Sequence, residues 1–191
     1  FDPQEFPNPS QREVLQAWIP RFVASGTRKG TRLVQHIIAE HGLDTVPLLL
    51  DAPEMRDFAD RPKMELAYIS ELVDARQYEV ALQRIETLVR QNPHFAADTR
   101  LLIIHSLIGL ERWEDAWAII QSYRQEIGSP LTEGDAKTSE SPIPADLSAL
   151  ELLLALRLDR LSDAIVANAL QALEDASSED KRLLQIALLT L

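Results

Sequence analysis

Arg76-Gln77-Tyr78-Glu79-Val80-Ala81 is the stretch on which the reading of this chain turns. It is matched downstream by Arg112-Trp113-Glu114-Asp115-Ala116 and by Arg160-Leu161-Ser162-Asp163-Ala164. Each copy holds a bulky apolar residue, two intervening residues and an alanine, and each lies between stretches of helical periodicity. Trp113 follows Tyr78 by 35 positions and Leu161 follows Trp113 by 48. The stretch 129–144, rich in Ser, Pro and Gly, reads as a polar loop. Setting aside about 14 residues for it restores a period near 34, which is the spacing of a helical repeat. The pattern has a mechanical reason. The bulky side chain fills the corner between two antiparallel helices, and the alanine lets their backbones approach.

Outward from these turns the periodicity predicts helices over 63–75, 78–91, 97–110, 113–127 and 147–160, with a sixth from 162 to about 176 and a seventh over 177–191. Asn92-Pro93 and Gly128 are stop signals, and Ser162 is a candidate N-cap. Upstream, Ser10-Gln11-Arg12-Glu13 has the form of a capping box, and Pro20 interrupts the helix that follows. A second helix over 31–41 is expected to stop at Gly42. The apolar 46–50 is expected to be helical, because no partner strand is evident. One more short helical segment starts at Asp51-Ala52-Pro53 and ends near Asp60. The expected architecture is therefore all-α, with residues 1–60 forming an extended segment plus a helical cap or divergent repeats, and residues 61–191 forming repeats.

Composition agrees. Apolar residues make up 46% of the 191 positions and charged residues 26%, with only 6 Gly, which suits a folded helical chain with a sizeable core. The net charge of -11 disfavours nucleic acid and anionic membrane as partners. The absence of Cys removes disulfides, thiolate catalysis and Cys-ligated zinc, and leaves the compartment open, with the cytoplasm slightly favoured. The apolar run 101–110 is about half the length of a bilayer span, so no membrane insertion is expected. The apolar C-terminal run 183–189 suggests a continuing chain, a last helix that packs back on the body, or self-association through that helix.

The repeat resembles the tetratricopeptide (TPR) family, whose helix-turn-helix unit carries a bulky residue, an alanine three positions later, an apolar residue four further on, and a proline near its end. Tyr78, Ala81, Ile85 and Pro93 match in the first unit, and Trp113, Ala116 and Ile120 in the second. Leu161 and Ala164 match in the third, where Asn168 departs from the apolar position. Ile69 and Ile104 replace the family's small residue in the first helices, so the repeats are degenerate. The resemblance implies a right-handed superhelical solenoid of antiparallel helix pairs, with about three clear repeats after the N-terminal helices. It also implies a concave groove lined by the first helix of each unit. Carried over, that groove holds Lys63, Leu66, Ser70 and Val73, then Asp98, Leu101, His105 and Ile108, then Asp146, Ala149, Leu153 and Leu156. The row is apolar with an acidic edge. It lacks the Lys, Asn and Arg with which family members clamp a terminal carboxylate.

The function expected from this reading is a scaffold or adaptor that binds a helical or extended apolar segment of another protein. The alternative is a structural subunit of a larger coat or envelope assembly. No catalytic site, metal or cofactor is expected. His36, Glu40 and His41 come nearest to a metal motif, but the i, i+5 spacing sends His41 to another face and the HExxH order is absent.

Overall fold

The computed structural model describes residues 19–20, 22–23, 30–128 and 145–175. The capping box at 10–13, Trp18, the 129–144 loop and the seventh helix lie outside the described residues. The described helices are α1 (Gly30–His41), α2 (Val46–Leu50), α3 (Arg61–Asp74), α4 (Tyr78–Gln91), α5 (Ala96–Gly109), α6 (Trp113–Gly128), α7 (Ala145–Arg157) and α8 (Asp163–Asp175). Short 3-10 turns occur at Leu43–Thr45, Pro53–Met55 and Pro93–Phe95. The protein is all-α, with no strand among the described residues.

The chain forms two compact units, residues 1–106 and residues 107–191. In the first unit α3 packs on α1, α2 and α4. Its core runs without a break across residue 60, from Ile19 and Phe22 through Leu33, Ile37, Leu49 and Leu50 to Ile69, Leu72, Ile85 and Leu88. The 30–60 helices therefore share one core with the first repeat. The buried residues of α4 are Ala81, Ile85 and Leu88, spaced i, i+4, i+7, while Glu79, Gln83, Glu86 and Arg90 face solvent. By contrast α3, covered on two sides, buries Met64, Glu65, Tyr68, Ile69, Leu72 and Val73. In the second unit α7 packs on α6 and α8. The α7–α8 contact is built from small residues, with Ala149, Ala155, Ala169 and Ala172 around Leu152 and Ile165.

Stops fall where local chemistry puts them. Pro62 opens α3 in its first turn, where its missing N–H costs nothing. Asn92, restrained by Pro93, leaves the helical region at φ −138 and ends α4. Gly42 ends α1 at φ 85 and ψ 162, a conformation essentially reserved for glycine. Its amide still donates to the Ile38 carbonyl at 3.0 Å. A Cβ added there meets nothing within 4 Å, so the cost of Gly42→Ala is purely a backbone cost. The substitution is expected to destabilise the protein by about 1–3 kcal/mol in a urea titration. A loss of only a few tenths would show that the turn relaxes freely.

The three repeat turns share one hydrogen-bonded form. Arg76, Glu111 and Asp159 are left-handed, at φ 60, 58 and 55. The amides of these residues donate to the carbonyls of Val73, Ile108 and Leu156, at 2.9, 3.0 and 3.4 Å. The next amides, of Gln77, Arg112 and Arg160, reach back to Leu72, Leu107 and Ala155, each at 2.8 Å. This is the Schellman closure of a helix, made three times without a glycine. It recurs at the same spacings as the sequence motif.

Past the closure, the third turn departs from the other two. In the first two, the next helix starts at once, and the amides of Ala81 and Ala116 donate to the carbonyls of Gln77 and Arg112 at 3.0 and 3.1 Å. In the third, Leu161 and Ser162 intervene and α8 begins at Asp163. There the Ser162 carbonyl accepts from the amides of Ile165 and Val166 at 3.0 and 3.2 Å. The buried face consequently slips by one residue. Ala81 and Ala116 are fully buried as expected, but the third copy buries Ile165, Ala169 and Ala172. Ala164 is exposed, and Leu161, expected as a corner plug, is 42% exposed. The misfit of Asn168 has the same cause, since the slip gives its place to Ala169.

Candidate functional site

Two ridges of side chains, one on α3 and one on α5, line a recess of the first unit. Lys63, Leu66, Ala67 and Ser70 lie at i, i+3, i+4, i+7 along one face of α3, and Asp98, Leu101 and Leu102 at i, i+3, i+4 along one face of α5. Together they line a cavity of about 470 Å³, with Thr31 from the first turn of α1 completing it. Its interior is apolar, formed by Leu66, Ala67, Leu101 and Leu102, and its polar atoms come from Thr31, Lys63, Ser70 and Asp98. Lys63 and Asp98 are exposed and make no hydrogen bond or ion pair among the described residues.

Five of the twelve residues expected to line a groove, Lys63, Leu66, Ser70, Asp98 and Leu101, are brought together here. Val73 is not among them. It lies in the wide buried face of α3 at 8% exposure, so it is a core residue. Ala149 is also a core residue, 3% exposed in the α7–α8 cluster. His105 is exposed and Ile108 half-buried, and neither lines the cavity. Leu153 is 41% exposed and Leu156 half-buried, both in the second unit, and the Asp146 side chain lies outside the described residues. Ala67 and Leu102 were missed although each is the neighbour of a named leucine on its own helix. Thr31 was missed because α1 carries no repeat motif from which to number it.

A second recess of about 460 Å³ lies between α4 and α5, lined by Leu82, Ile85, Val89 and Ile103. The Glu86–Arg90 pair beside it is satisfied within its own helix at 2.5 Å. This recess therefore offers a ligand no unpaired charge, unlike the α3–α5 groove.

The perturbed ionisable groups lie elsewhere. Arg84 of α4 donates to both oxygens of Asp51 at 2.6 and 2.7 Å, and to Glu65 at 3.2 Å, while lying 5.6 Å from the Tyr68 ring centroid. Burial pushes the Glu65 carboxyl above its usual range, and the guanidinium of Arg84 only partly opposes this. Burial likewise raises the Tyr68 phenol, again opposed by Arg84. Arg84 is held more firmly protonated, first by its hydrogen bonds to Asp51. In the second unit Glu151, almost fully buried on α7, sits 3.0 Å from Arg124 and accepts from Gln121 at 3.3 Å. Burial raises its carboxyl too, with Arg124 opposing. None of these residues lines the groove. Their partners are protein groups that tie helices together, which is the pattern of structural ion pairs.

His36 is half-buried and Glu40 exposed, and no cluster among the described residues has a donor set for a metal ion. No helix among the described residues is long and apolar enough to cross a membrane. Compared with known proteins, the chain matches no family model, no curated protein and no solved structure.

Proposed function

We propose that this chain is a protein-interaction scaffold or adaptor of TPR-like build, whose helix pairs present a concave groove to a helical or extended apolar segment of a partner protein. The observation that carries this reading is the α3–α5 groove. Residues named from the repeat register of two successive first helices meet there in one apolar cavity. Its volume lies within the range of binding clefts. Two i, i+3, i+4 ridges flanking a recess can receive the ridge of a third helix. The free charges of Lys63 and Asp98 at its polar edge would fix the register of the occupant.

The test is affinity capture from the native extract with the full chain, set against two variants. Ser70→Glu places a charge at the groove without removing core packing, and the pair Leu66→Asp and Leu101→Asp removes its apolar walls. Both are expected to lose the captured protein while keeping the helical circular dichroism of the parent. Capture unchanged by both would overturn the groove assignment.

A further inference from the structure

On the second unit, two arginine–tryptophan stacks occupy successive turns of α6 and differ in one respect. Arg160 lies over Trp117, 5.8 Å from its ring centroid, and grips Glu114 with both arms of its fork. Nη1 reaches Oε2 at 2.8 Å and Nη2 reaches Oε1 at 3.1 Å. Arg157, the last residue of α7, lies over Trp113 at 5.3 Å. It makes no hydrogen bond or ion pair among the described residues. The third arginine of this neighbourhood, Arg112, donates to Asp115 at 2.7 Å. Of the three, Arg157 alone has no carboxylate partner among the described residues.

Stacking on an indole face restricts a guanidinium before any ligand arrives, which lowers the entropy lost on binding. The donors of Arg157 stay in a planar fork that matches a carboxylate bidentately, as an ammonium would not. The adjacent stack shows which group this arrangement takes, for Arg160 over Trp117 already holds one. Trp113 is half-buried, so its exposed part offers apolar contact beside the charge. Arginine and tryptophan together are also the residues most enriched among interface anchors.

We propose that Arg157 over Trp113 is a docking point for the carboxylate side chain of an acidic partner segment with interleaved apolar residues, bound as Glu114 is bound by Arg160 over Trp117. The net charge of -11 disfavours such a segment over most of the remaining surface, which makes the point selective. It lies in the second unit and does not depend on the α3–α5 groove.

The experiment uses the full chain and a fluorescein-labelled peptide of alternating Glu and Leu, followed by fluorescence anisotropy. An alternating Gln and Leu peptide serves as control. The acidic peptide is expected to bind and the control not. Arg157→Ala should weaken binding about tenfold, the loss of one charge-assisted contact. Arg157→Lys should recover only part of that loss. Glu114→Ala, which frees the fork of Arg160, should strengthen binding several-fold, a gain that a merely structural role for these arginines does not produce. The Leu66→Asp and Leu101→Asp pair should bind the peptide as the parent does. Absence of binding, equal binding of the control, full retention in Arg157→Ala, or loss in the groove variant would each overturn the proposal.

Discussion

Replacing Arg84 with methionine is expected to cost about 3 kcal/mol or more, the penalty of leaving a buried charge without its partner. The side chain of Glu65 is only 8% exposed, and its Oε2 has no hydrogen-bond partner. Compensation comes chiefly from Arg84, which Asp51 holds in place from the end of α2. One guanidinium thus ties α4 to α3 and to the chain leaving α2. Adding Glu65→Gln to the Arg84→Met variant should recover most of the loss, and urea midpoints of the two singles and the double read this as a coupling energy. If the double variant is as unstable as Arg84→Met, the cost lies in lost packing and the charge argument fails.

The same pair gives a pH dependence of definite sign. The folded carboxyl of Glu65 sits above its ordinary value of 4.5. Its contribution to stability is therefore fully present below that value and is lost as pH rises through the raised one. Loss of Arg84 pushes the carboxyl higher, so the decline should be larger in Arg84→Met and absent when Glu65→Gln is also present. Melting temperatures between mildly acidic and neutral pH supply the comparison.

Ala169→Leu is expected to destabilise by about 1–3 kcal/mol, because extra methylenes enter a contact already closed around small residues. Ala169 is fully buried among Ala149, Ala155 and Ala172. Ala164→Leu, on the exposed face, should stay within about 0.5 kcal/mol of the parent. The unslipped repeat register predicts the reverse order, so urea titration of these two variants decides the one-residue slip. A larger loss in Ala164→Leu would restore the sequence-based register.

Much of this was legible in the sequence, for identifiable reasons. The bounds of α4 were read without error because the Tyr78–Ala81 motif marks its start, helical periodicity runs through it, and Asn92-Pro93 marks its end. Ala81 and Ala116 were legible because closely packed helices demand a small residue at a fixed distance from the turn. The third copy misled because counting from Leu161 does not register a helix that starts two residues late. Two signs of it were present, Ser162 as a candidate N-cap and Asn168 as a misfit. The faces of α3 and α5 that line the recess were legible in part, because a face can be counted along one helix. Val73 and Ala149 were not, since their burial depends on how many neighbours cover a helix, which local periodicity does not report. Nor was the ionic tie. Arg84 lies 33 positions from Asp51 and 19 from Glu65, on a helix whose other charges are solvated, so only tertiary packing brings the three together.

The Schellman turns also bear on how quickly the chain acquires its structure. The closures after α3 and α7 join helices that are neighbours in sequence and pack on each other. The loops to be closed are short, so little chain entropy is lost before contacts begin to repay it. Each pair can zip outward from its turn, with Ala81 the first buried residue of α4 and Ile165 the first of α8. Local pairings of this kind belong to the fast-folding class, and they start at the turns, away from the groove in which we propose that a partner sits.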